Sequence, residues 1–101
     1  MTVTDQTLVI AEDGVVASDL GGDMVLLDIN ASTYYGLNDV GASVWQLVQQ
    51  HRRVDEIHAM LLEEYEVDPA RCKKDLIRLL ESLHARRLIR LGQAELQPLK
   101  T

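Results

Sequence analysis

The hydrophobic pattern of this chain changes period once, close to Leu37. Before that point apolar residues fall in short aliphatic and β-branched runs, VVASDL over 15–20 and MVLLDI over 24–29, separated by Gly21-Gly22-Asp23. Two such runs around a glycine-rich turn predict a β-hairpin. A second turn-forming cluster, DINAS over 28–32, leads into TYYGL over 33–37, where Thr33, Tyr35 and Leu37 alternate with Tyr34 and Gly36. Alternation predicts a third strand. Which tyrosine faces outward depends on register, because a slip of one residue exchanges the two faces. Gly36 either marks a bulge or leaves room for a backbone to approach. TLVIA over 7–11 is either a short extra strand or an ordered tail, and residues 1–6 are expected to fray.

After Leu37 the period becomes helical. Asn38 is a good N-cap, and Val40, Val44, Leu47 and Val48 recur on one face with Trp45 beside them as a core anchor, predicting a helix over about 39–50. Val54, Ile57, Leu61 and Tyr65 make a second stripe ending near Tyr65, although Arg53 is a poor cap for it. Asp68-Pro69 is a strong start signal, a capping carboxylate followed by a residue whose missing N–H is not needed in the first turn. The third helix is expected over about 69–86 with Cys72, Leu76, Leu79 and Leu83 toward the core, while Ile77 and Leu80 widen the apolar arc beyond what one packed face needs. LIRL over 88–91 predicts a short strand or wing, followed by a polar tail holding Pro98.

Composition narrows the class. With 101 residues and 47% hydrophobic content the chain fits one domain with a modest core. No uninterrupted apolar window reaches the roughly eighteen residues of a membrane span, and the first residues lack the basic start of a signal peptide, so a cytoplasmic protein without membrane contact is expected. The single cysteine, Cys72, cannot form an internal disulfide and is expected to behave as a small hydrophobe. His51, His58 and His84 have no motif spacing, and no glycine-rich phosphate loop or carboxylate pair stands out, so the chain is expected to be no enzyme and to need no metal or cofactor.

Charge is unevenly distributed. The net charge is −6, yet residues 1–51 hold seven acids and no Lys or Arg, whereas residues 69–90 hold seven basic residues against Asp75 and Glu81. The acidic half aids solubility or favours a basic face on a partner. A basic third helix raises DNA binding through a helix-turn-helix, but the overall negative charge opposes phosphate contact and apolar outward positions suit base edges poorly, so no nucleic-acid partner is expected.

Three strands followed by three helices give an α+β fold, a winged helix-turn-helix arrangement with its three-stranded antiparallel sheet in front. The last strand of such a sheet has an open edge whose N–H and C=O groups must meet water or another chain. An incoming peptide can satisfy them, but main-chain pairing nets only about 1 kcal/mol per bond, and ordering a peptide consumes about 2–5 kcal/mol. Apolar pockets must supply the surplus, at about 2–3 kcal/mol per large side chain buried. The expected peptide-binding residues are therefore Thr33, Tyr34, Tyr35, Gly36 and Leu37 on the strand, with Ile77 and Leu80, and Lys73 in the same helical phase, on the third helix. The same open edge permits a monomer or a weak homodimer.

The run MVLLDINASTYYGLNDVGASVWQLV, followed by VDEIHAMLLEEYEVDPARCKKDLIRLLESL, resembles the PqqD-like family of RiPP recognition elements. The resemblance rests on the aliphatic strand ending in Asp28, on Tyr35, Leu37 and Asn38 at the strand exit, on Gly41 and Trp45, on Val67-Asp68-Pro69, and on Asp75-Leu76. It covers about residues 14–91, leaving residues 1–13 as a tail or extra strand and 92–101 as a flexible tail. The resemblance implies a non-catalytic domain that binds the leader segment of a ribosomally made precursor peptide, by strand addition to the third strand and packing on the third helix, with leader anchors received in a hydrophobic pocket lined by Tyr34 or Tyr35 with Leu76, Ile77 or Leu80. Two kinds of free-standing member are similar in size: the leader-binding partner in lasso peptide biosynthesis, which serves a leader peptidase, and the peptide chaperone of pyrroloquinoline quinone biosynthesis, which serves a radical SAM enzyme. The phrasing VLLDINASTYYGLNDVGA leans toward the lasso group.

Overall fold

The structure, a computed structural model, describes residues 3–21, 23–50 and 53–93. Its elements are β1 (Thr7–Ala11), β2 (Val15–Asp19), β3 (Met24–Asp28), β4 (Thr33–Leu37), α1 (Asp39–Val48), α2 (Val54–Glu64), α3 (Pro69–Ala85) and β5 (Ile89–Gln93). β2, β3 and β4 form an antiparallel meander with β4 at one edge, and β1 pairs with β5 in a separate antiparallel ribbon.

The turns have local causes. Gly21 takes a left-handed φ of 78° in the β2–β3 turn, which the Asp19 carboxylate closes by accepting from the Gly21 N–H at 2.9 Å. After β3 the Asp28 carboxylate accepts from the N–H groups of Asn30 and Ala31, and Ser32 turns the chain back with a φ of 56°. The register that follows sets Leu26 opposite Tyr35 and Leu27 opposite Tyr34. Leu26 is buried, so Tyr35 belongs to the inner face and Tyr34 to the outer one.

The two segments of open assignment, TLVIA and LIRL, complete each other: Val9 lies opposite Leu91 and both Val9 and Ile89 are buried. Residues 3–6 do not fray. Val3 is in the core, the Asp5 carbonyl accepts from the Asp55 N–H at 3.1 Å, and the Asp5 carboxylate pairs with the Lys73 ammonium at 3.0 Å. That docking also explains how α2 begins without a good cap residue, since the Asp5 carbonyl and the Glu56 carboxylate, which accepts from the Arg53 N–H, take the first donors. The remainder of the tail, from residue 94, lies outside the described residues.

The Asn38 side chain caps α1 by accepting from Gly41 N–H at 2.9 Å, and the Asp68 carboxylate caps α3 by accepting from Arg71 N–H at 2.9 Å. A Cβ on Gly41 would stand 3.1 Å from a Leu37 methyl, so β4 and α1 meet as closely as they do because position 41 has no side chain. α3 ends in a Schellman turn in which Leu88 N–H donates to the Leu83 carbonyl at 2.9 Å, with Arg87 at a φ of 61°.

The core joins Leu26, Val44, Trp45, Val48, Ile57 and Leu61 to Leu76, Leu80 and Leu83 of α3. Trp45 is thus an anchor, as its position beside Val44 and Val48 predicts. The α3 stripe differs from the expected one. Leu80 is 0% exposed and replaces Leu79, which together with Cys72 is only half buried. Both stripes share Leu76 and Leu83, and docking against α2 and the β1–β5 ribbon seals the flank of Leu80 rather than that of Leu79 and Cys72. Val40 is likewise exposed rather than core. No helix among the described residues is long and apolar enough to cross a membrane.

Candidate functional site

β4 pairs with β3 on one side only, and no described strand lies along its other edge. Alternate N–H and C=O groups over Thr33–Leu37 therefore point away from the sheet. Between this edge strand and α3 runs a groove of about 680 Å³ whose walls are Tyr35, Gly36 and Leu37 on one side and Asp75, Arg78, Leu79 and Ser82 on the other. Val40 and Gly41 close its end.

The groove shares Val40, Asp75 and Leu79 with a more enclosed apolar pocket of about 440 Å³ between α1, the end of α2 and the first half of α3. Val44, Leu61 and Leu76 line that pocket from the core, with Tyr65, Val67 and Cys72 also on its wall. The Tyr65 ring is oriented by its hydroxyl, which lies 2.8 Å from the Ser43 hydroxyl of α1. The Cys72 thiol is held above its ordinary pKa by burial first and by the nearby Asp75 charge second, so it is protonated near neutral pH. The entrance of α3 is fixed to α2 by the His58 ring nitrogen Nε2, 2.9 Å from the Pro69 carbonyl.

The expected site residues fall into three groups. Tyr35, Gly36 and Leu37 line the groove and Leu76 floors the pocket, while Thr33 begins the same edge strand. Tyr34 shares the edge backbone, but its side chain is 72% exposed on the sheet's outer face. Lys73, Ile77 and Leu80 are elsewhere. Leu80 is sealed in the core; Ile77 and Lys73 line a shallow cleft on the opposite flank of α3, where Lys73 meets Asp5. Positions 77 and 79 lie about 160° apart around a helix, on opposite flanks of the core stripe, so with Leu80 sealed the groove wall is Leu79 and not Ile77. The residues missed by sequence reasoning are Leu79, Asp75, Arg78 and Ser82 in the groove and Tyr65, Val67 and Cys72 in the pocket. The signal for Leu79 was the over-wide apolar arc of α3 itself.

Gly36 keeps regular pairing opposite Val25, and a Cβ there would meet nothing within 4 Å, so neither a bulge nor a close contact inside the domain accounts for it. Among the described residues no three His, Cys, Asp or Glu side chains gather in a way that would hold a metal ion.

Two solved structures are similar to this chain. One, described as TbiB1 in complex with the TbiA(beta) leader peptide, is 32% identical, with 79% of this chain and 93% of that chain covered and a TM-score of 0.74. The other, lasso peptide synthetase B1 complexed with the leader peptide, is 24% identical, with 81% of this chain and 96% of that chain covered and a TM-score of 0.72, a likeness of fold. No curated protein sequence matches the chain significantly. Residues 23–89 match the family model described as coenzyme PQQ synthesis protein D, and with well over half of its length so matched the chain belongs to the PqqD family.

Proposed function

We propose that this protein binds the leader segment of a ribosomally synthesised precursor peptide as a fourth strand along β4 and, in the cytoplasm, delivers it to a leader peptidase and cyclase of lasso peptide biosynthesis. The observation that carries the reading is the placement of a free strand edge directly beside a groove that deepens into an apolar pocket. Main-chain pairing along five residues gives little net free energy, about 1 kcal/mol per bond. Large leader side chains seated against Leu79 and in the pocket supply the rest, at about 1.5–3 kcal/mol each. Gly36 lies on the groove wall beside this free edge. In this role the domain presents a peptide and performs no catalytic step itself.

The lasso assignment is supported by the 32% likeness to a chain solved with a leader peptide, by the shared fold with a lasso synthetase B1, and by the lasso-like phrasing of residues 25–42. The family's description favours a second reading, a peptide chaperone for pyrroloquinoline quinone synthesis, which uses the same site for a different precursor.

Titration of a fluorescently labelled leader peptide with the protein, followed by anisotropy, tests the reading. Saturable binding is expected for the leader and not for its scrambled sequence or duplex DNA. Leu79→Asp is expected to weaken it by about tenfold or more with the fold retained. Equal binding of the scrambled peptide, or an unaltered Leu79→Asp variant, would overturn it.

A further inference from the structure

The outer face of the β2–β3–β4 sheet carries an apolar row that no described element covers. Register places Val16, Leu27 and Tyr34 side by side across the three strands, and they are 48%, 42% and 72% exposed. Leu20 and Ile29 extend exposed apolar surface into the two turns at the ends of β2 and β3. The next row, Ser18, Val25 and Gly36, is low, so Tyr34 stands above a shallow step. An aromatic ring beside aliphatic side chains and a depression is the make-up of an interface centre.

The surrounding charge decides what can cover it. Asp13 and Asp23 sit in the turns that bound this face, and residues 1–51 contain no Lys or Arg. A second copy docked face to face would set acid against acid, and nucleic acid or an anionic bilayer would be repelled. We propose that this face docks a partner protein whose apolar contact patch is rimmed by Lys and Arg, and that this partner is the enzyme acting on the delivered peptide. The identity of the partner rests on the leader-delivery reading; the chemistry of the surface does not. Peptide and enzyme then use different parts of the domain, the former the β4 edge and α3 groove, the latter the sheet face reaching across to β2.

The test immobilises the purified leader peptidase encoded with the precursor and measures binding of the full chain by biolayer interferometry, in parallel with leader anisotropy. Val16→Lys and Leu27→Lys are expected to keep leader affinity within about twofold while weakening peptidase binding by about tenfold or more. Asp23→Lys, in an exposed turn, is expected to slow association and to flatten its salt dependence. Wild-type leader binding that fails defeats the delivery reading. Intact leader binding with no peptidase binding, or with peptidase binding indifferent to all three substitutions, overturns the docking face alone. A wild-type dimer in sedimentation that Val16→Lys dissociates would assign the face to a second copy instead.

Discussion

The guanidinium carbon of Arg86 lies 5.1 Å from the centre of the Tyr35 ring, fastening the end of α3 to the edge strand β4. The contact joins the two walls of the groove at the end away from the apolar pocket. Replacing Arg86 by Ala should reduce stability by about 0.5–1 kcal/mol in urea unfolding, the usual worth of an exposed cation over an aromatic face. Leader affinity should fall with it, because a wall free to move must be ordered on binding.

Leu79 and Leu80 are neighbours in sequence with opposite roles. Leu80→Ala leaves a cavity in the core and should destabilise the fold by about 2–5 kcal/mol. Leu79→Ala removes half-exposed surface and should cost well under half of that, while lowering leader affinity more than any other single truncation on α3. Denaturant midpoints and anisotropy titrations of the same two variants separate the roles.

Arg87 holds a left-handed conformation at the end of α3, where glycine has no steric penalty. Arg87→Gly should raise stability by up to about 1 kcal/mol, the strain of a non-glycine residue there, partly offset by the added freedom of the unfolded chain. Thermal unfolding of the variant should show a higher midpoint; a lower one would mean that the arginine side chain contributes more than its backbone costs.

Cys72 offers a probe of the pocket. Burial raises the pKa of its thiol, so the thiolate fraction at neutral pH is below that of a free cysteine and alkylation by iodoacetamide should be slow, accelerating as pH rises toward and through the raised pKa. A saturating leader peptide should slow it further, since the thiol lies on the wall of the pocket proposed to receive leader side chains. Mass spectrometry of the timed reaction reads both effects.

Much of this architecture is legible in the sequence. The meander was marked by Gly21 and by the DINAS turn, and α3 by Asp68-Pro69, because turns and caps depend on local chemistry. The pairing of TLVIA with LIRL was not legible, since the two segments stand about 80 residues apart and only the closed domain brings them together. The groove wall was misplaced for a related reason. Helical period shows that α3 has more apolar surface than one face needs, but which flank is sealed depends on how the helix is rotated against α2 and the ribbon, and that rotation exchanges Leu79 with Leu80. Lys73 lies on the flank of Ile77, where it pairs with Asp5, a residue in the segment expected to fray.

The measurement that bears most directly on strand addition is amide hydrogen exchange of β4 by NMR, with and without saturating leader peptide. Alternate amides over Thr33–Leu37, those pointing away from β3, should exchange fast in the free protein and become protected in the complex, while the outer edge of β2 is unchanged. Leader binding that leaves these amides fast, or that protects the β2 edge instead, would contradict the fourth-strand mode.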